Sequence, residues 1–176
     1  MVSNDSGTIE LWNDYGHLVR KRRVHDAPNM LKRLHDGLSF VGSDGFGLTV
    51  WEPTTLRRTM RVKWTDVHVY GIAASPVAPI VAGRTDGLVN LFDIESQEHV
   101  ASIPVQPGLP ILDFSPDGQK IVVGQGAGLA LFDINGQELD RISYMNDRVL
   151  SAKFKPTTGE MYVGLASGAI EQIELG

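Results

Sequence analysis

Apolar and polar positions alternate along this chain in short runs bounded by Gly, Pro, Asn, Asp or Ser, as in Thr8-Ile9-Glu10-Leu11-Trp12, Leu48-Thr49-Val50-Trp51, Leu88 to Asp93 and Gly128 to Asp133. Alternation sends successive side chains to opposite faces of a strand, and no segment carries a sustained helical period, so the pattern predicts an all-β chain. The runs also recur. Their aromatic or apolar end-points fall at Trp12, Trp51, Phe92, Phe132 and Ile173, at steps of 39, 41, 40 and 41 residues. A second register agrees: Pro76, Pro116 and Pro156 stand 40 apart, and Gly42, Gly83, Gly124 and Gly164 follow at steps of 41, 41 and 40.

A period near forty is the signature of a four-stranded unit repeated around an axis, as in a β-propeller. The spacing predicts one domain, 1–176, of four to five antiparallel blades in units of about 1–25, 26–64, 65–106, 107–146 and 147–176. The fourth unit is the clearest. Ile111 to Phe114 leads into the turn Ser115-Pro116-Asp117-Gly118, whose proline presets φ and whose glycine can take a positive φ. Lys120 to Gly124, Gly128 to Asp133 and Leu139 to Tyr144 then supply three more strands. Counted this way, the first unit lacks its first strand and the fifth its fourth, so the units hold three, four, four, four and three strands.

The repeated phrase, the Ser115 to Gly118 turn and the endings Phe92-Asp93 and Phe132-Asp133 resemble the WD-repeat β-propeller family over essentially the whole chain. No copy ends in Trp-Asp, the nearest being Trp12-Asn13 and Trp51-Glu52, and the usual Gly-His pair is missing. The resemblance implies a polar brace in the second unit from His25, Ser39, Asp44 and Trp51. It also implies a protein-docking face made of the loops that join fourth to first and second to third strands. Those loops carry the expected partner-binding residues His25, Asn29, Trp64, His68, Arg84 and Arg148. Trp64 is the foremost, because it stands outside the Trp12/Trp51 register and Trp and Arg are the usual interface anchors. Rings of this family commonly hold seven or eight blades and close by sharing a split blade, whereas the two partial units here overlap. Three arrangements satisfy these ends: a compact ring of four or five blades, an open arc completed by another copy, or one piece of a longer polypeptide.

Composition narrows the chemistry. Cysteine is absent, which removes disulfides and thiolate metal sites. The five histidines, His17, His25, His35, His68 and His99, show no metal-ligand spacing. Neither a metal nor a cofactor is expected, and no convergent nucleophile and base suggests an enzyme. A central-channel active site would require a polar pocket of perturbed ionisable groups. Gly124-Gln125-Gly126-Ala127-Gly128 looks like a phosphate-cradling loop, but a strand follows where a helix N-terminus is needed, so it reads as a hairpin. A polar N-terminus without a basic-then-apolar signal, together with the lack of any apolar run near the roughly 18 residues of a membrane span, leads to a cytoplasmic expectation without membrane contact.

The net charge of -5 is unevenly spread. Residues 1–88 carry eleven Lys/Arg and nine Asp/Glu, residues 89–176 five and twelve, a polarity compatible with head-to-tail association. The sequence thus favours a non-enzymatic protein-interaction scaffold that is a homo-oligomer or part of a larger assembly. The alternative is nucleic-acid binding, with phosphate contacts from Arg20, Lys21, Arg22, Arg23, Arg57, Arg58, Arg61 and Lys63. A pI near 5.5 and the lack of interleaved aromatics count against it, and charged outer strands also serve to block edge-to-edge aggregation.

Overall fold

Among the described residues the chain forms eighteen strands and no helix, arranged as five antiparallel sheets in chain order. The computed structural model describes every residue except 1, 5, 6, 25–27, 29, 45, 64–67, 175 and 176. The first sheet contains β1 (Val2–Asn4), β2 (Thr8–Trp12) and β3 (Leu18–Arg23), and the second β4 (Met30–Arg33), β5 (Phe40–Ser43), β6 (Gly47–Glu52) and β7 (Arg57–Lys63). The third contains β8 (Gly71–Ala74), β9 (Ile80–Thr85), β10 (Leu88–Asp93) and β11 (Glu98–Pro104). The fourth runs through β12 (Leu112–Phe114), β13 (Lys120–Gln125), β14 (Gly128–Asp133) and β15 (Glu138–Ser143), and the fifth through β16 (Val149–Phe154), β17 (Met161–Leu165) and β18 (Ile170–Ile173). Every strand pairs with its sequence neighbour inside its sheet, and no sheet closes on itself. The three-four-four-four-three division is the one that the sequence period predicts.

The acid that ends each phrase is a turn device. Asp93 Oδ1 accepts the N–H groups of Glu95 and Ser96 at 2.8 and 3.0 Å, and Asp133 Oδ1 those of Asn135 and Gln137 at 2.9 and 2.8 Å. Asn13 and Glu52 hold the equivalent turns in the first two sheets. A short polar side chain that satisfies the backbone of the next residues favours a turn over further strand. Just before it, a register shift recurs at the aromatic: between Leu11/Trp12, Val50/Trp51, Leu91/Phe92 and Leu131/Phe132. In the Ser115-Pro116-Asp117-Gly118 turn, Gly118 takes φ +70°, Ser115 donates to Asp117 at 2.6 Å, and the Gln119 N–H donates to the same carboxylate. The Ser115 hydroxyl, and then the Gln119 N–H, hold the Asp117 carboxyl below the usual aspartate value.

The sheets stack through their alternating faces. First strands lie side by side, β4 against β8, β8 against β12 and β12 against β16, while β1 touches β4. Ile9 packs on Trp51 and Leu56 between the first two sheets; Val41, Leu48 and Val50 meet Val81 and Phe92 between the second and third. Val89 and Leu91 meet Ile121, Val123 and Phe132 next, and Val122, Leu129 and Leu131 meet Met161 and Val163 last. Each terminal aromatic therefore faces the preceding sheet. Each such side chain contributes roughly 1.5–3 kcal/mol when fully buried, so the stacking, more than any single sheet, holds the fold together. The second, third and fourth sheets bury apolar residues on both faces, whereas the buried apolar residues of the outer two lie on one.

Candidate functional site

Two sets of loops converge on one face. In the third sheet the Tyr70 hydroxyl, on the segment entering β8, donates to the Thr85 carbonyl at 2.9 Å and to Asp86 at 3.1 Å. In the fourth, the Gln106 N–H donates to the Gln125 side chain at 3.1 Å and the Gly126 N–H to the Pro107 carbonyl at 2.9 Å. In the fifth, the Ala166 N–H donates to the Arg148 carbonyl at 2.8 Å, and the Ser167 N–H to Asp147 at 3.3 Å. The Ser167 side chain, followed by the Arg148 N–H, holds the Asp147 carboxyl below the usual aspartate value.

Of the residues expected on this face, His68 and Arg148 are exposed. His68 meets Phe46 edge to face, ring centroids 5.6 Å apart and planes at 86°. Phe46, 52% exposed, escaped the sequence reading. Its signal was there to be read: in the second-to-third-strand turn of the third sheet the residue after the glycine is aliphatic Leu88, whereas in the second it is aromatic. Arg84 departs from its expected role. It is fully buried rather than displayed by a loop, with Nη1 donating to the Gly124 carbonyl and Nη2 to that of Gln106 at 3.1 Å, and its Cζ lies 5.9 Å from the Tyr70 ring centre. Its fork clasps the third sheet to the fourth. His25, Asn29 and Trp64 lie outside the described residues.

The polar brace is not assembled among the described residues. Asp44 pairs instead with Arg61 at 2.7 Å and accepts the Phe46 N–H, while the buried Trp51 Nε1 has no hydrogen-bond partner. His25 lies outside them.

The basic strands are placed as a solvent-facing rim. All six residues of β3 are exposed, including Arg20, Lys21, Arg22 and Arg23, as are Arg57, Arg58, Arg61 and Lys63 of β7. Arg22 donates to the Leu56 carbonyl at 3.3 Å, which brings β3 to the turn that opens β7. Lys21 pairs with Glu10 at 2.8 Å, holding that carboxyl below its usual value.

Among the described residues, the terminal sheets each leave part of one face uncovered. On β17 and β18, Tyr162 pairs in register with Gln172 and Gly164 with Ile170, just as Val122 pairs with Leu131 and Gly124 with Leu129 one sheet earlier. Val122, Leu129 and Leu131 are 0, 1 and 5% exposed; Tyr162 and Ile170 are 40 and 76% exposed. At the other end Trp12, in the register position of buried Trp51, is 42% exposed.

Finally, the inner strands enclose an open groove of about 320 Å³, lined by Met30, Leu31 and Lys32 of β4, Gly71 and Ile72 of β8, Pro110, Ile111 and Leu112 at β12, and Leu150 to Lys153 of β16. Lys153 pairs with Asp113 at 2.5 Å. Burial, and after it the nearby Lys153 ammonium, hold the Lys32 amine below its ordinary value. Among the described residues no group of three His, Asp or Glu side chains could hold a metal ion, and no helix is long and apolar enough to cross a membrane. The chain matches no protein-family model and no curated protein, so a reading of its function rests on the repeat, the loop face, the rim, the open terminal faces and the groove.

Proposed function

We propose that this chain is a non-enzymatic protein-interaction scaffold, an arc of WD-repeat-type propeller blades that associates with a second copy or with a protein partner through its open terminal faces. The observation that carries the reading is the exposure of Tyr162 and Ile170 at register positions where the neighbouring sheet buries Val122 and Leu129. Apolar surface in water costs roughly 25 cal/mol per Å², and a flat sheet face with an unpaired edge is a ready docking template. The loop face, with Phe46, His68 and Arg148 exposed, offers partners a second surface. Light scattering over a range of protein concentrations tests the self-association: a mass of two or more chains is expected, and Ile170→Asp should return it to one. A strict monomer at high concentration removes self-association and leaves capture of a different protein to be shown.

A second reading draws on the rim. The contact of Arg22 with the Leu56 carbonyl brings two exposed basic strands onto one side, and such a rim suits phosphate contacts by a nucleic acid. A salt titration with an RNA oligonucleotide decides. Binding that weakens steeply with salt supports it, and no binding at low salt eliminates it.

A further inference from the structure

The inner groove joins three features that the scaffold reading leaves unused. Its lining is mainly aliphatic, with Met30, Leu31, Ile72, Leu112 and Leu150 contributed by four different sheets. Two lysines, Lys32 of the second sheet and Lys153 of the fifth, approach each other there, with Asp113 as the only carboxylate paired to either among the described residues. Two ammonium groups against one carboxylate leave the groove with surplus positive charge, and like charges held close in partly desolvated surroundings are destabilising until an anion arrives. Lys32 in particular is half-buried and makes no salt bridge among the described residues.

We infer that this groove binds an amphipathic carboxylate, whose negative head lies between Lys32 and Lys153 and whose apolar body lies along the aliphatic wall. Size agrees. About 320 Å³ falls at the lower end of the several hundred Å³ typical of small-molecule pockets, which pair an apolar lining with a few polar anchors. A bare inorganic anion would leave the aliphatic wall uncovered, and a neutral apolar molecule would leave the surplus positive charge beside the Lys153–Asp113 pair uncompensated. The inference is independent of self-association, because the groove is built wholly from strands of one chain.

Octanoate serves as the probe in calorimetric titrations of the full chain, with octanamide and inorganic phosphate as the neutral and purely ionic comparators. One octanoate per chain is expected, bound at least about tenfold more tightly than either comparator, a margin of about 1.4 kcal/mol. Lys32→Gln removes no salt bridge seen among the described residues, so it should keep its circular-dichroism spectrum while losing octanoate affinity by about tenfold. Lys153→Gln should weaken binding in the same sense and serves as the second variant should the first fail to fold. Equal binding of octanoate and octanamide, or unchanged affinity in a folded Lys32→Gln chain, overturns the role of the lysines. Phosphate binding as tight as octanoate overturns the role of the aliphatic wall, and no octanoate binding up to about 10 mM overturns the site itself.

Discussion

The fourth and fifth sheets are built on one plan and differ in what covers them. Both have a glycine ending the second strand, Gly124 and Gly164, and both pack their backward faces on the preceding sheet through Ile121, Val123 and Phe132 or through Met161, Val163 and Ile173. Their forward faces diverge. Val122, Leu129 and Leu131 of the fourth are closed over by the fifth, whereas Tyr162, Ile170 and Gln172 of the fifth face outward. One aliphatic residue has become tyrosine and another glutamine, which tempers the exposed surface, while Ile170 remains. The same backbone thus serves as core or as surface according to its neighbour, as expected where each repeat contacts only the next one.

This contrast can be broken by mutation. Leu129→Ala should cost about 2–5 kcal/mol in urea denaturation, because it opens a cavity between two sheets, while Ile170→Ala at the matching register should stay within about 0.5 kcal/mol. Equal losses would mean that the fifth sheet is covered on both faces. Next in size, Arg84→Ala should destabilise by about 2–3 kcal/mol by removing a charged donor from the buried Gly124 carbonyl and the part-buried Gln106 carbonyl, and Arg84→Lys should not restore it, since a single ammonium cannot reproduce the fork. A Lys variant as stable as the parent would remove the clasp from the account.

Tyr162→Asp should weaken self-association by about 1–2 kcal/mol while leaving thermal stability near that of the parent, read by sedimentation. The smallest effect concerns pH. The hydroxyls of Thr54 and then Thr55 pull the Glu52 carboxyl down from 4.5 to about 2. A depressed folded pKa contributes stability in full above the unfolded value and loses it as the pH falls towards the folded one. The stability gap between the parent and Glu52→Gln should therefore narrow between pH 4.5 and about 2, and a gap constant across that window contradicts the assignment.

Much of the architecture was legible in the chain because its signals are local. The alternation at Gly128 to Asp133, the turn at Ser115 to Gly118 and the Asn, Asp or Glu after each aromatic specify strands and turns within a few residues, and observed strand boundaries fall close to the expected ones. Arg84 was not legible. Read locally, it follows Gly83 and precedes a turn, and so it looks like a loop cation. Its acceptors come from Gly124 and Gln106, 40 and 22 residues away, and only stacking of the third and fourth sheets brings them within reach. Of the brace that the resemblance implies, the described members are not joined for a related reason: Asp44 pairs with Arg61 of β7, 17 residues away, and Trp51 Nε1 has no hydrogen-bond partner.

The candidate sites divide along the same line. The rim of β3 and β7 could be read directly, since consecutive Lys and Arg on an outer strand are exposed whatever lies beneath them. Phe46 against His68, the bare faces of Trp12 and Ile170, and the approach of Lys32 to Lys153 could not, because each depends on which sheet lies beside which. The sequence by itself determined the strands, their turns, their grouping into repeats and the alternating faces, all of which follow from side-chain periodicity and local backbone preference. Tertiary structure alone decided which of those faces became core, which stayed open and which charges met across the groove, since burial is a property of the neighbouring sheet and not of the strand that carries the residue.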